Sequence, residues 1–482
     1  MVKPTERKRE SSGTRPVIEH GYCVGCGVCA ALPNSGHEIA LTPYGTLSAK
    51  IVGPVSDQGA VARVCPFSDE AVDENVLGAA LFPAGRKHDH LGSIHSVYAG
   101  HVIADGFRQR GSSGGMGSWL LEQLLVAGHV DGVVHVAETS GAGDDSLFAY
   151  RIVRSVDDLR SGAKSRYYPV TLTEVVAQIR AQPGRYAFSG VPCFIKAIRL
   201  LAREDKQFGA SVGYCIGLVC GHLKSRGFAE FLAWQMGVAP HELVGFDFRV
   251  KMPGRAANRY GAKAVRANGS GLSEHVRAMQ ELYGHDWGMG LFKLKSCDYC
   301  DDVVAETADV TVGDAWLPRY VADSEGTNLI IVRNPLFDDI LSNAAQAGTV
   351  HLETLTEADA VQSQSSGFSH RREGLAYRLW LADSRSIWRP LKRTQANRRN
   401  DDRMFERRQE ARVRVAELSH EALLEAKQSG SLAVFFRRIV PAVEHYRDFS
   451  RTPWRRLAVR AKRLLLGDPL VKRALQSSKS KS

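Results

Sequence analysis

Three cysteines at three-residue steps, Cys23, Cys26 and Cys29 in "GYCVGCGVCA", are the densest concentration of metal-binding chemistry in the chain. A fourth, Cys65, is followed by Pro66 and completes a set of four. A cubane 4Fe-4S cluster offers four corner irons, and a short loop wraps three of them only if its thiols recur every third residue. Gly25 and Gly27 let the backbone pass close to such a cluster and aim amides at its sulfides. Zinc more often takes two separate C-x2-C knuckles, so the triple favours iron-sulfur over zinc, with plain buried thiols as the remaining alternative.

A second set is dispersed: Cys193 in "GVPCF", Cys220 in "GLVCGH", and Cys297 with Cys300 in "KSCDYCDD". Each alone reads as an ordinary buried thiol, since free cysteine is among the most buried residue types. Their positions say more. Cys193 and Cys220 each follow a strand-like segment, and Cys193 falls at a helix N-terminus, where the dipole favours a thiolate. If those strands are parallel, both thiols emerge at one carboxyl edge of a sheet, where open α/β sheets bind ligands. Cys297 and Cys300 then supply the other two ligands of a second 4Fe-4S cluster, with zinc and a structural role as alternatives. Cys215, inside its strand, is left over.

The loop "RGSSGGMGSW" is a candidate anion or flavin cradle. Ser113, Gly114 and Gly115 permit close approach, and the helix opening at Met116 presents free N–H groups. It lacks the G-x-G-x-x-G dinucleotide fingerprint, and an ordinary tight turn is the competing reading. In "SGAKSRYYP", Lys164 and Arg166 are placed to meet a pyrophosphate or to lie in a solvated loop. His222, two residues after Cys220, is a candidate proton source; Asp314 in "TVGDAW" is either structural or part of the same crevice.

The elements that must hold these residues are alternating strands and helices. "SVYAGHVI" reads as a strand, "MGSWLLEQLLVA" as a helix ended by Gly128, and "DGVVHVA" as a second strand in parallel pairing. "RYAFSG", a helix opening at Pro192, "GASVGYCIGLVC", "RGFAEFLAWQMG", "TADVTVGD" and "NLIIVRN" repeat the pattern. The expected fold is α/β (α+β overall): a central, mostly parallel or mixed sheet with flanking helices, a small N-terminal cysteine module and a basic helical C-terminal extension. Expected boundaries are a disordered arm over 1–19, the cysteine module over 20–85, the two parts of the α/β domain over 90–175 and 176–335, an extension over 336–390 and the basic tail over 391–482.

Several function classes drop out on composition. Nine cysteines behind a polar N-terminus with no apolar leader, and no run of 18 apolar residues, suggest a cytoplasmic protein whose thiols serve metals rather than disulfides. The net charge of +11 belongs to the tail: residues 391–482 hold 23 Lys and Arg against 10 Asp and Glu, leaving the rest close to neutral. With no nucleic-acid-binding pattern in the body, nucleic acid is not an expected partner. "TPWRRLAVRAKRLLL", residues 452–466, puts Trp454, Leu457, Ala461, Leu464 and Leu465 on one helical face. That face suits either the protein's own body, a partner, or peripheral membrane contact through residues 440–482.

In their order, "CVGCGVC", "GSSGGMGSWLLEQLL", "AKSRYYP", "GVPCFIKAIRLL", "GLVCGH", "CDYCDDVVAETADVTVGDAW" and "NLIIVR" resemble the beta-subunit family of coenzyme F(420) hydrogenase/dehydrogenase over about 20–335. That family also includes the plant 7-hydroxymethyl chlorophyll a reductase and bacterial members from polysaccharide gene neighbourhoods. The resemblance implies an iron-sulfur flavoprotein oxidoreductase with FAD and one or two 4Fe-4S clusters, the first in a ferredoxin-like module. The family's serine-glycine-glycine falls on Ser113, Gly114 and Gly115, its lysine segment on Lys164, and its cysteine motifs on Cys193, Cys220, Cys297 and Cys300. Implied partners are a ferredoxin-like electron donor or acceptor and a small-molecule substrate; a homo-oligomer is compatible with the sequence but not implied by the resemblance. Two other readings stand beside it: an electron-transfer subunit serving a deazaflavin coenzyme or partner enzyme, and a zinc-stabilised binding module without redox activity.

Overall fold

The computed structural model describes residues 13–139, 146–162, 164–269, 271–399, 402–449 and 467–479. The chain opens with a short helix, Arg15–Glu19, whose Pro16 and Val17 are buried. The segment read as a disordered arm is therefore ordered from this helix on, because it has apolar residues to bury and Thr14 hydrogen-bonds His37 (2.8 Å). The cysteine module follows: a helical turn over Val28–Ala31, the hairpin β1 (His37–Leu41) and β2 (Leu47–Ile51), and helices Gln58–Val64 and Glu74–Leu81. A small ribbon, β3 (Arg86–His88) and β4 (Gly92–Ile94), leads into the main body.

That body is an eight-stranded mixed sheet built from β5 (Ser96–Val102), β6 (Gly132–Glu138), β7 (Phe148–Val153), β8 (Tyr186–Gly190) and β9 (Val212–Leu218), completed by later strands. A separate antiparallel sheet comprises β10 (Leu243–Val250), β11 (Gly261–Asn268) and β12 (Gly271–Ala278). The chain then returns with β13 (Val310–Asp314), β14 (Asn328–Val332) and β15 (Val350–Thr354). The order is β15-β5-β14-β13-β9-β8-β6-β7, with β13, β9, β8 and β6 paired in parallel and the outer pairs antiparallel.

One expected pairing is corrected by this order. β5 and β6 run in the same direction but are not neighbours, since β14, β13, β9 and β8 lie between them. The helix Met116–Val126 carries the chain across, burying Met116, Leu120 and Leu124 against the sheet. A local strand-helix-strand pattern sets direction, not the slot a strand enters. The strand containing Cys215 also starts later than expected: residues 209–211 finish the helix Lys206–Ser211 before β9 begins. What survives is the arrangement that matters for the site: β5, β6, β8, β9 and β13 share one carboxyl edge.

The basic tail does not stand apart. Helices Arg403–Gln428 and Leu432–Asp448 form a hairpin whose Phe435, Phe436, Ile439 and Val443 join one core with Phe231, Leu291 and Phe292. A further helix, Pro469–Lys479, packs back on the body, and Ser477 accepts from Arg277 (3.1 Å). The amphipathic stretch 452–466 lies outside the described residues. Among those described, no helix is long and apolar enough to cross a membrane.

Candidate functional site

The N-terminal thiols are held where the module meets the sheet domain. Gly27 adopts φ +85° ahead of the helical turn that carries Cys29, and a Cβ there would lie 2.1 Å from Thr171 Oγ1 and 2.3 Å from Thr173 Oγ1. Only glycine fits both that backbone and that approach. The Leu172 amide donates to the Cys26 carbonyl (2.8 Å), fixing the loop on the body. Cys23 Sγ accepts from the amides of Gly25 (3.4 Å) and Ala49 (3.3 Å). Burial raises the Cys29 and Cys26 pKa values, and their neighbours Cys23 and Cys65 raise them further. Cys65 is pushed up to about 12 by burial, with amides of Phe67 and Ser68 pulling it back.

The dispersed thiols also converge. Cys193 is the second residue of the helix Pro192–Glu204 beyond β8; Cys220 follows β9; Cys297 lies within a tight 3-10 turn, Lys295–Tyr299, and Cys300 directly follows it. Burial raises the Cys193 pKa, and the charges of Cys300, Cys220, Cys297 and Cys26 raise it further. Cys26 belongs to the other set, so the two groups adjoin. Cys26, Cys29 and Cys300 share one apolar cluster, with Cys23, Cys65 and Cys193 packed against it. Cys297 Sγ accepts the Leu223 amide (3.1 Å). Cys215 lies in β9 and belongs to the same apolar cluster, its amide donating to Asp309 (2.7 Å).

Four thiols per set, with backbone N–H groups directed at their sulfurs, match the donor chemistry of an iron-sulfur cluster. Loading would displace the protons that burial now favours. Among the described residues, no group of three or more His, Cys, Asp or Glu side chains is set as the shell of a bare metal ion.

The second set opens onto a cavity of about 620 Å³ at the carboxyl edge of the sheet, with Cys220 in its wall. Gly111, Ser112, Ser113 and Gly115 form one side. Of the residues anticipated from this loop, Gly114 and Met116 do not line the cavity. A Gly114 Cβ would meet Asn328 Oδ1 at 2.7 Å, and the Met116 amide is already taken by that oxygen (3.1 Å). Lys164 lines the cavity but pairs with Asp247 (3.1 Å). The freer cation is Arg166: it pairs with Glu138 (3.0 Å), yet its Nε and Nη1 are buried without a partner. His135, beside it, also has an unpartnered Nε2, and burial lowers its pKa to about 4.

Another part of the lining is aromatic and cationic. Tyr167 and His222 pack on Trp287 with ring centroids 4.7 and 4.6 Å apart, and Lys224 Nζ lies 4.7 Å from the Trp287 ring. Asp314 holds Arg249 through two 3.1 Å contacts and so helps shape the crevice. His222 Nε2 is buried without a partner, and burial holds its pKa well below the ordinary value. Residues that sequence reasoning missed include Trp287, Lys224 and Arg371, which donates to Cys300 Sγ (2.9 Å) from the helix Ser365–Arg371. None lies in a motif; only the fold brings them to the site.

A mixed α/β protein with two adjoining four-thiol sets and a cavity reaching one of them is the class these observations define. Residues 97–177 match the family model for the coenzyme F(420) hydrogenase/dehydrogenase beta subunit N-terminus, and residues 184–358 that for its C terminus. The chain belongs to this family of oxidoreductase subunits. The matched region starts later and ends later than the sequence resemblance suggested, taking in Cys193, Cys220, Cys297 and Cys300 but not the N-terminal four. A curated relative, one of the subunits of the F(420)H(2) dehydrogenase of Methanosarcina mazei, is 23% identical over 225 residues, 42% of this chain and 54% of the relative. The chain thus spans about half the length of that protein. A solved chain of the F(420)-reducing NiFe hydrogenase complex from Methanosarcina barkeri aligns with a TM-score of 0.45 and 14% identity, covering 61% of this chain and 94% of that one.

Proposed function

We propose that the protein is an iron-sulfur flavoprotein oxidoreductase linking a ferredoxin-like one-electron partner to an organic two-electron acceptor. Cys23, Cys26, Cys29 and Cys65 would hold an outer 4Fe-4S cluster, and Cys193, Cys220, Cys297 and Cys300 an inner one, with FAD in the cavity. Clusters exchange single electrons and a flavin joins them to two-electron chemistry. The observation that carries the reading is the position of Cys193, which packs against the apolar cluster that holds Cys26 and Cys29 of the other set together with Cys300 of its own, while Cys220 of the same set faces the cavity. In this scheme electrons would pass from the outer set through the inner set to the cavity.

The chain's own groups have distinct tasks in this scheme. The Gly111–Gly115 loop offers close backbone approach, and Arg166 has two unpartnered N–H groups suited to a pyrophosphate. Tyr167 and Trp287 supply flat apolar surface for a planar ring system. The family membership favours a second reading, in which the acceptor is a deazaflavin coenzyme or a site on a partner protein rather than a free substrate.

The variant Cys193→Ser, purified without oxygen, tests the assignment. It should lose about half of the bound iron while retaining flavin. Full iron content in that variant would remove Cys193 from the ligand set.

A further inference from the structure

Arg371 is among the largest fully buried side chains, only 2% exposed, yet no carboxylate pairs with it among the described residues. Its Nη1 donates to Cys300 Sγ (2.9 Å) and to the Asp302 carbonyl. Its Nη2 donates to Cys220 Sγ (3.5 Å) and to the Gly221 carbonyl (2.8 Å). Guanidinium stays charged in a protein interior, and a buried charge needs a counter-charge. Of its four acceptors two are backbone carbonyls, which carry no formal charge, so the groups in reach that can supply a counter-charge are the Cys300 and Cys220 sulfurs as thiolates.

The outer set is treated differently. Cys23 is approached by backbone amides, and Lys196, the ammonium near Cys65, is already paired with Glu74 (3.1 Å). Neutral N–H donors stabilise added negative charge on sulfur less than a charge-assisted donor does. Hydrogen bonding to the sulfurs and net charge are among the factors that set a cluster's potential.

We propose that Arg371 is a positioning residue that holds the reduction potential of the inner cluster above that of the outer one. This rests on the reading that Cys193, Cys220, Cys297 and Cys300 bind a 4Fe-4S cluster. With both clusters bound, one electron would pass from the outer, oxidised by one, to the inner, reduced by one, with no bond or proton exchanged. The helix bearing Arg371 begins at Ser365, after the last residue matched by the family model. The chain therefore sets the potential from an element outside that matched region.

The test is an EPR-monitored redox titration of the full-length chain, purified without oxygen, as wild type, Arg371→Met and Arg371→Lys, with iron content measured on each. Arg371→Met should keep its iron and make reduction of the inner cluster at least tenfold less favourable, a fall of 59 mV or more for one electron. The outer cluster should be unchanged, and Arg371→Lys should show a smaller fall because it keeps the charge without the fork. An inner potential unchanged in Arg371→Met at full iron would overturn the proposal. If the methionine variant loses the inner cluster, the lysine variant decides: a threefold or larger loss supports tuning, while an unmoved potential overturns it. Loss of the cluster in both variants would make Arg371 a structural clamp and overturn it too. A wild type with only four irons would instead remove the inner cluster itself and the proposal with it.

Discussion

Arg393 ties the C-terminal segment to both cysteine sets, and replacing it with methionine should cost more than any surface charge could. Its side chain is 7% exposed and meets Glu306 at 2.7 Å, Glu74 at 3.4 Å and Asp301 at 3.6 Å. Its amide also donates to Asp301 (3.1 Å) and Nη1 to Asn75 (2.9 Å). Glu74 lies nine residues beyond Cys65, and Asp301 directly follows Cys300. Arg393→Met leaves these acids buried, with Lys196 on Glu74 (3.1 Å) and Arg372 on Glu306 (3.1 Å) as remaining partners. Breaking a buried pair by removing one member costs about 3–5 kcal/mol, and the two remaining cations put this case near about 3 kcal/mol. Equilibrium urea unfolding at pH 7, followed by tryptophan fluorescence, reads the change. Adding Glu306→Gln removes a stranded charge, so the double variant should recover part of the loss. A cost below about 1 kcal/mol, or a double variant less stable than the single, would refute the assignment of Arg393 as a charge hub.

Three further outcomes are expected. Gly27→Ala forces an L-residue into a left-handed conformation, about 1–2 kcal/mol, and drives its Cβ into Thr171 and Thr173; iron analysis should show the outer cluster lost and the inner one kept, whereas full iron would contradict the packing. Arg166→Met should lower flavin content of the purified protein several-fold without lowering iron, since its free N–H groups line the cavity; unchanged flavin would remove it from the cradle. His135 is held near a pKa of about 4 by burial against 6.5 when unfolded, so the unfolded chain binds more protons between those values and stability falls as pH drops through that window. Between pH 7 and 5 the wild type should lose about 2 kcal/mol from this group, and His135→Gln should flatten that slope in urea titrations at each pH; equal slopes would show that His135 is not buried as a neutral imidazole.

The cysteine motifs, the Gly-Ser loop and most strands of the parallel core were legible because each is a local pattern: a three-residue step, a run of small residues, or a short apolar run bounded by turns. Sheet order was not, since β5 enters the sheet with four strands between it and β6, and nothing local specifies that slot. The segment 385–399 reads as a charged linker by composition. In the fold it is a strap whose Arg389 pairs with Asp383 (2.7 Å) and whose Leu391 amide donates to Asp69 (2.7 Å), beside the outer cysteine module. Arg371 and Arg393 were invisible for the same reason: each acts on residues about 70 to over 300 positions away, and charge counted along a sequence does not reveal its partner. Cys193 and Cys220 were the informative intermediate case, because strand ends predict an edge of the sheet even when strand order is unknown.

Under the proposed function, eight thiols in two adjoining groups hold redox-active iron beside a flavin. Its most direct test is the full-length protein purified under strict exclusion of oxygen, with iron, acid-labile sulfide and flavin measured per chain alongside the visible spectrum. A brown protein with about eight irons, eight sulfides and one FAD per chain is expected, the cluster count following from four cysteines per cubane. A folded, colourless preparation carrying zinc or no metal would contradict it.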